Sequence, residues 1–363
     1  MGLAFILLLG PLERRIELVH ENDFSGFWAG ARALVIGADP YDAATWRATV
    51  ARLGTQAPDT AVYGYVPWVA LALVPLALVP LEVAGWIWMV ATVFAAALVL
   101  RALLRSLVPG LAAVHLAFGL ALLGAQPGYH ALVLGQWSFA LLAAVGAAIL
   151  ALRAGHPARA GLAALAFLAK PQLFVFTAIR LAAERGVARV AIPAGALIVL
   201  VATLLLPQWL GAWTAEVAPA RVARNATIPV ALADLLGPVG TYVGYAVILA
   251  GAVLATRFGL HGDASLAVWL ALSSAGAIYT WSYDHLLLLI PIVLAGSVLL
   301  ARRGARGATV ITIGTLAILV IVSPVFYALA VARHRESFSA VLPVVVFAVL
   351  VIALWPYRRS VAS

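Results

Sequence analysis

The sequence predicts an all-α, polytopic bundle of membrane-spanning helices. Hydrophobic residues fill 65% of the 363 positions and charged residues 10%, whereas a soluble domain carries roughly a quarter of its residues charged. Apolar runs follow one another along the chain, and a helix needs about 20 such residues to cross the hydrocarbon. In lipid each segment must satisfy its own backbone N–H and C=O groups, which leaves helix as the state of long, non-alternating runs. The net charge of +9 does not point to nucleic acid. The basic residues are scattered between apolar runs and form no basic face. With no cysteine, disulfides and thiolate metal sites are excluded.

The runs fall near 2–12, 67–80, 84–104, 107–125, 131–152, 160–180, 188–207, 239–257, 264–281, 286–300, 308–330 and 340–356. The first, GLAFILLLGPL, has no basic leader and no A-x-A site, so no cleavable signal is expected. It is read as a short first helix that continues into ERRIELVH, unless the start lies upstream. Two runs are unlike simple spans. The run 67–80 holds Pro67, Pro75 and Pro80, and the run 160–180 is cut by Lys170–Pro171. A charge beside a proline at mid-membrane is tolerable where broken backbone lines a cavity. Both are expected to be re-entrant or broken hairpins, among about ten full crossings.

Orientation follows from arginine. If both hairpins return to the side they left, one face collects Arg101, Arg105, Arg153, Arg159, Arg180, Arg185, Arg189, Arg257, Arg302, Arg303, Arg306, Arg358 and Arg359 in short loops. By the positive-inside rule that face is cytoplasmic. The other face receives the loop 13–66, the Gly-Gln turn near 136, a second loop 208–238, the turn 282–285 and Arg333–Glu336. If every run crossed, the segments from about 105 to 159 would flip and their arginines would face outward, against the same rule. The chain reads as a single membrane domain, 1–363, without internal repeats.

Seven of the fourteen carboxylates lie in the first loop: Glu13, Glu17, Glu21, Asp23, Asp39, Asp42 and Asp59. Trp28, Trp46, Tyr41, Tyr63 and Tyr65 share it. Such a loop is either a solvated outward surface or a site for a polar substrate on a lipid carrier. In the second case carboxylates grip hydroxyls or act as a base, and aromatic rings anchor or stack. The stretch FSGFWAGARALVIG has helical spacing up to Gly37 and breaks at Asp39–Pro40, which predicts a short interfacial helix with Asp23 as its N-cap. Lys170 is the one lysine among 23 cationic residues. It is either a snorkelling side chain or an ammonium that binds phosphate as a point charge. Asp284 and His285 stand at the outer start of a helix, as a cap and a structural imidazole or as substrate contacts. Gln136 in LGQWS is a weaker candidate, and Arg32, Tyr41 and Tyr65 complete the candidate substrate-binding set. The sequon Asn225–Ala226–Thr227 carries no weight. P-loop, GxSxG, HExxH and Asp-x-Asp motifs do not occur, and no metal-ligand spacing is evident.

The ordered segments ENDFSGFWAGARALVIGADPYD, YGYVPWVALALVPLALVPLEVAGWIW, LGQWS, GLAALAFLAKP and WSYDHLLLLIP resemble glycosyltransferase family 87 over roughly residues 20–300. This is a membrane family of GT-C fold that contains polyprenol-phosphate-mannose-dependent alpha-mannosyltransferases. The resemblance implies an inverting transfer of a sugar, mannose, from a polyprenyl-phosphate donor to a lipid or cell-envelope glycan. It places the reaction at the outer face of the cytoplasmic membrane. It makes Asp23 the general base, places His285 and Lys170 at the donor phosphate, and matches Gln136 to the family's Gly-Gln turn. Two departures are the short first helix and Val66–Pro67 where Pro–Pro is common. The rival classes are a transporter or lipid flippase, which would carry ionisable groups near the midplane, and a non-catalytic scaffold whose acidic, aromatic loop is a docking surface.

Overall fold

The computed structural model describes residues 22–55, 60–217, 225–259 and 261–355. Helix makes up 82% and no strand forms among the described residues, so the all-α expectation holds. The expected first helix at 2–12, together with Glu13, Glu17, Glu21, Asp59, Arg358 and Arg359, lies outside the described residues.

Five helical stretches are long and apolar enough to cross a membrane: Leu81–Leu107, Arg185–Leu205, Pro238–Thr256, Ser282–Arg333 and Ser337–Leu354. A sixth forms if Ala112–Gly124 and Gln126–Val133, bent by 41°, count as one span. The 52-residue stretch Ser282–Arg333 holds both expected runs, 286–300 and 308–330. Gly304 separates them with φ 66° and ψ −178°, a left-handed backbone that glycine adopts without a Cβ penalty. Many lipid-sized side chains point outward, among them Phe94, Leu120, Leu204 and Ile352, each more than half exposed. Exposed apolar side chains in such number are what a bilayer covers.

The two runs expected to be interrupted are short. Pro67–Ala77 has 11 residues, about 16 Å at 1.5 Å per residue, which is half the hydrocarbon thickness. The run 160–180 becomes Pro157–Ala164, a 3₁₀ turn Leu165–Ala169, a second turn Pro171–Leu173 and the helix Val175–Ala182. Lys170 sits at the break with φ −140° and ψ 68°. Pro171 causes it, because proline has no N–H to donate and excludes the helical region for the residue before it. Within the expected loop 208–238 the described residues form Trp209–Ala212, a π turn Trp213–Val217 and the helix Ile228–Leu236.

The fold divides into two compact units. The first draws on Met1–Phe94, Ala131–Trp137 and Ile192–Ala223. Its organising helix is Asp23–Val35, whose side chains cap another helix. Trp28 Nε1 donates to the carbonyls of Leu76 and Val79, both at 3.2 Å, and Arg32 Nη1 to Ala77 O at 3.0 Å. These bonds satisfy carbonyls that the C-terminus of Pro67–Ala77 leaves open. A second helix, Ala43–Leu53, starts where Asp42 Oδ1 accepts from Thr45 N at 2.8 Å and ends at Gly54 with φ 63°. The capping bond holds the exposed Asp42 carboxyl below its usual range. Between the helices, Tyr41, Trp46 and Tyr63 are buried and meet edge-on. The loop's aromatics are therefore core rather than surface, because the two helices need an apolar interior.

The second unit draws on Ala95–His130, Ser138–Ala191 and Arg224–Ser363. Its centre is the buried stretch Leu286–Ala295. Polar tethers fasten its elements. Thr177 donates through N and Oγ1 to Ser273 Oγ at 2.7 and 2.8 Å. Asp263 accepts from Arg153 Nη1 and Ser297 Oγ, both at 2.9 Å. Asp234 accepts from Arg335 Nη1 at 2.7 Å and Ser337 Oγ at 2.5 Å. Asn225 of the sequon is fully buried, with Thr227 Oγ1 donating to its Oδ1 at 3.0 Å.

Gly30 faces the ring of Tyr63 so closely that a Cβ there would overlap it. Tyr63 is fully buried and cannot swing away. Gly30→Ala is expected to destabilise the protein by about 1–3 kcal/mol, read as a lower thermal midpoint in detergent. An unchanged midpoint would mean that the Tyr41–Trp46–Tyr63 cluster is loosely packed.

Candidate active site

In the first unit the candidate carboxylate is Asp23. It is not the helix cap, and this corrects the sequence expectation. Asn22 has the extended backbone of an N-cap, and its Oδ1 accepts from Ser25 N at 3.2 Å. Ser25 Oγ in turn donates to Asn22 O at 2.7 Å. With the cap supplied by its neighbour, Asp23 becomes the first helical residue, and its Oδ2 accepts from Gln136 Nε2.

The turn carrying Gln136 is built to meet this helix start. Gly135 adopts φ 63°, which reverses the chain after Gln126–Val133. Gln136 N then donates to Ala131 O at 2.9 Å. Phe24 N donates to Leu134 O at 3.3 Å, and Asn22 Nδ2 to Val133 O at 3.4 Å. Trp88 Nε1 closes the turn on Gly135 O at 2.9 Å. Aromatic rings surround the helix start: Phe24 stacks on Trp88 at 5.9 Å, and Trp137 meets Trp88 at 4.7 Å and Phe27 at 6.1 Å. Gln136 is 2% exposed. Its Oε1 and the Trp137 Nε1 have no hydrogen-bond partner among the described residues. A buried polar group without a partner is uncommon and marks a place where function can reside.

The other candidates of this loop make contacts within the first unit. Arg32 is half-buried, and its Nη1 donates to Ala77 O at 3.0 Å. Tyr41 is 2% exposed, and its hydroxyl donates to Tyr65 O at 2.5 Å. Burial pushes the Tyr41 phenol well above its usual range, with Tyr63 and Asp39 adding to the shift. Tyr65 is half-buried, its ring edge-on to Phe27 at 4.5 Å.

In the second unit a buried ion pair replaces the lone ammonium expected from sequence. Lys170 Nζ lies 2.8 Å from Asp284 Oδ1, with the side chains 6% and 2% exposed. The ammonium also lies 4.6 Å from the centre of the Tyr283 ring. Asp284 collects two further donors, Ser138 Oγ at 2.9 Å and Trp281 N at 3.3 Å. Three donors thus fix this carboxylate, and one of them is the Lys170 ammonium. His285 is 1% exposed, and its Nε2 has no hydrogen-bond partner among the described residues.

Sequence reasoning missed the residues that hold this turn. Gln126 Nε2 donates to Ser282 Oγ at 3.1 Å, and His130 Nδ1 lies 3.3 Å from the same oxygen. Glu336 Oε2 accepts from Ser282 N at 2.7 Å. Burial pushes the Glu336 carboxyl above its usual range; the bond from Ser282 pulls it down, and Asp284 adds to the rise. Two signals were available: Gln126 and His130 are four residues apart on one helix face, and Glu336 is the only carboxylate after Asp284. No group of three or more metal-ligating side chains occurs among the described residues.

These features belong to a membrane enzyme of the sugar-transferring kind. The model of glycosyltransferase family 87 matches residues 63–282, more than half of the chain, and the protein belongs to that family. Gln136, Lys170 and Tyr65 fall within the match; Asp23, Arg32 and Tyr41 precede it, and Asp284 and His285 follow its last residue. No curated protein and no solved structure matches the chain.

Removing one partner of a buried pair leaves an uncompensated charge. Lys170→Met alone should therefore lower stability by about 3–5 kcal/mol, and Lys170→Met/Asp284→Asn should regain much of it. Thermal melts of the purified variants in detergent check this. A double variant no more stable than the single one would mean that the pair is not what holds these segments.

Proposed function

We propose that this glycosyltransferase moves mannose from a polyprenyl-phosphate donor to a lipid or cell-envelope glycan. The reaction takes place at the outer face of the cytoplasmic membrane, inverts the anomeric centre and uses Asp23 as general base. The observation that carries this reading is the Asp23–Gln136 contact. Asp23 is relieved of capping by Asn22 and is oriented by a neutral amide.

In the proposed step an acceptor hydroxyl gives its proton to Asp23 while its oxygen attacks the anomeric carbon. The bond from that carbon to the phosphate oxygen breaks, and polyprenyl phosphate leaves with the electron pair. General-base assistance of this kind is worth about 10²–10⁴-fold. Gln136 Oε1 and Trp137 Nε1 offer an acceptor and a donor that sugar hydroxyls satisfy. By the family resemblance, Lys170 and His285 are the proposed phosphate contacts. An ammonium has three donors and Asp284 takes one, so Lys170 contributes hydrogen bonds more than net charge. The prenyl chain explains why such an enzyme resides in the membrane.

Sidedness has support within each unit. Asn22 and Asp23 meet the turn 133–136, and Asp234, Ser282 and Glu336 belong to one connected turn system. These are the segments assigned to one face if the hairpins at 67–80 and 160–180 do not cross. Under the all-crossing alternative Asp23 and Gln136 would lie on opposite leaflets.

Asp23→Asn should cut turnover of polyprenyl-phosphate mannose by about 10²–10⁴-fold while leaving the thermal midpoint in place. The assay is label transfer to an envelope extract by protein in nanodiscs, and turnover that survives the change would end the base assignment. The absence of cysteine makes single thiols informative about sidedness. In intact cells a membrane-impermeant maleimide should label Arg47→Cys but should reach His156→Cys only after permeabilisation. The reverse pattern would invert the topology.

A further inference from the structure

The chain near residue 336 is shaped to drive one side chain inward. His334 takes φ 53°, a left-handed conformation that is uncommon for a residue with a Cβ and persists where its surroundings hold it. The next three residues are anchored on both flanks. Arg335 Nη1 and Ser337 Oγ bond the two oxygens of Asp234 at 2.7 and 2.5 Å, and that aspartate belongs to the helix Ile228–Leu236. Between the anchors, Glu336 is turned into the protein at 9% exposure, where its Oε2 accepts from Ser282 N.

Ser282 is itself 1% exposed. Its amide is held by Glu336 and its hydroxyl by Gln126 and His130. It opens the turn that presents Asp284 and His285. Two separate chain segments, the helix Gln126–Val133 and the turn at Glu336, thus converge on one residue that neither donates to nor accepts from Lys170. Burying a carboxyl is costly unless hydrogen bonds replace those lost to water, and for Glu336 the Ser282 amide supplies one.

We propose that Glu336 is a positioning residue for this site. It sets the turn Ser282–His285 and, through it, the meeting of Asp284 with Lys170 and the inward placement of His285. Its consequence for catalysis rests on the transferase reading above; its hold on the turn does not.

The cysteine-free chain provides a test of the hold alone. The thiol introduced by His285→Cys is buried and should react slowly with a small methanethiosulfonate reagent. Adding Glu336→Ala should speed that reaction by about tenfold or more through local opening. Adding Glu336→Gln, which keeps an acceptor for Ser282 N, should leave it near the parent rate. A thiol placed by Ala148→Cys in the core of the helix Ser138–Arg153 should not respond to either change. With His285 intact, Glu336→Ala should lower kcat for polyprenyl-phosphate mannose by up to about 10²-fold, with KM changed less than about threefold and Glu336→Gln close to wild type. If Glu336→Ala does not fold, Glu336→Asp, one methylene short of Ser282 N, gives the same comparison. The proposal is overturned by an unchanged rate at position 285, by a parallel rise at position 148, or by a Glu336→Gln chain as open as Glu336→Ala. Opening at position 285 in a chain that does not turn over polyprenyl-phosphate mannose even as wild type would support the hold on the turn and remove the proposed donor reaction.

Discussion

A charge taken out of water needs a counter-charge, and in this protein that requirement joins segments that are far apart in sequence. Lys170 interrupts an apolar run at a proline, and Asp284 stands at the head of a long apolar helix. Either alone would be prohibitive in an apolar interior. Paired at 2.8 Å, with Ser138 and Trp281 N completing the carboxylate's coordination, they bring the broken helix, the helix Ser138–Arg153 and the turn 282–285 to one place. Such a pair adds little net stability over an apolar isostere, but it specifies which segments meet. The ring of Tyr283 against the ammonium reinforces that specification from the turn itself.

The same logic of neutral and charged partners separates the two halves of the candidate chemistry. Asp23 is oriented by an amide, and Asp284 is saturated by a cation and two further donors. Among the described residues the two aspartates therefore differ in the kind of partner seen to hold them.

The broad architecture was legible in the amino-acid pattern because lipid imposes a simple rule: long apolar runs become helices. Breaks were legible wherever proline or glycine caused them, as at Lys170–Pro171 and Gly304. Gly37, at φ 75°, likewise follows the end of the short helix Asp23–Val35 close to its expected limit. What escaped was anything decided by a single rotamer or by distant contacts. Whether Asn22 or Asp23 caps the helix depends on backbone angles one residue apart, and both residue types are good caps. The aromatics of the first loop read as surface groups because the loop is acidic. In the fold Tyr41, Trp46 and Tyr63 pack between two short helices. The Ser282 clamp was invisible for a different reason. Its members lie at 126, 130, 282 and 336, and no local pattern links residues that meet only after the helices assemble.

The character of the one intramembrane lysine also bears on why this architecture suits an enzyme better than a carrier. A coupled transporter needs an ionisable group that changes partner or protonation state as access alternates. Lys170 is instead locked by an anion, and that anion is fixed by a hydroxyl and a backbone amide. The turn bearing that anion is held in its turn by Glu336, Gln126 and His130. Each added bond raises the energy of any alternative arrangement. Such rigidity would oppose an alternating cycle, but it is what transition-state stabilisation needs, because donors aimed in advance do not have to reorganise as charge develops.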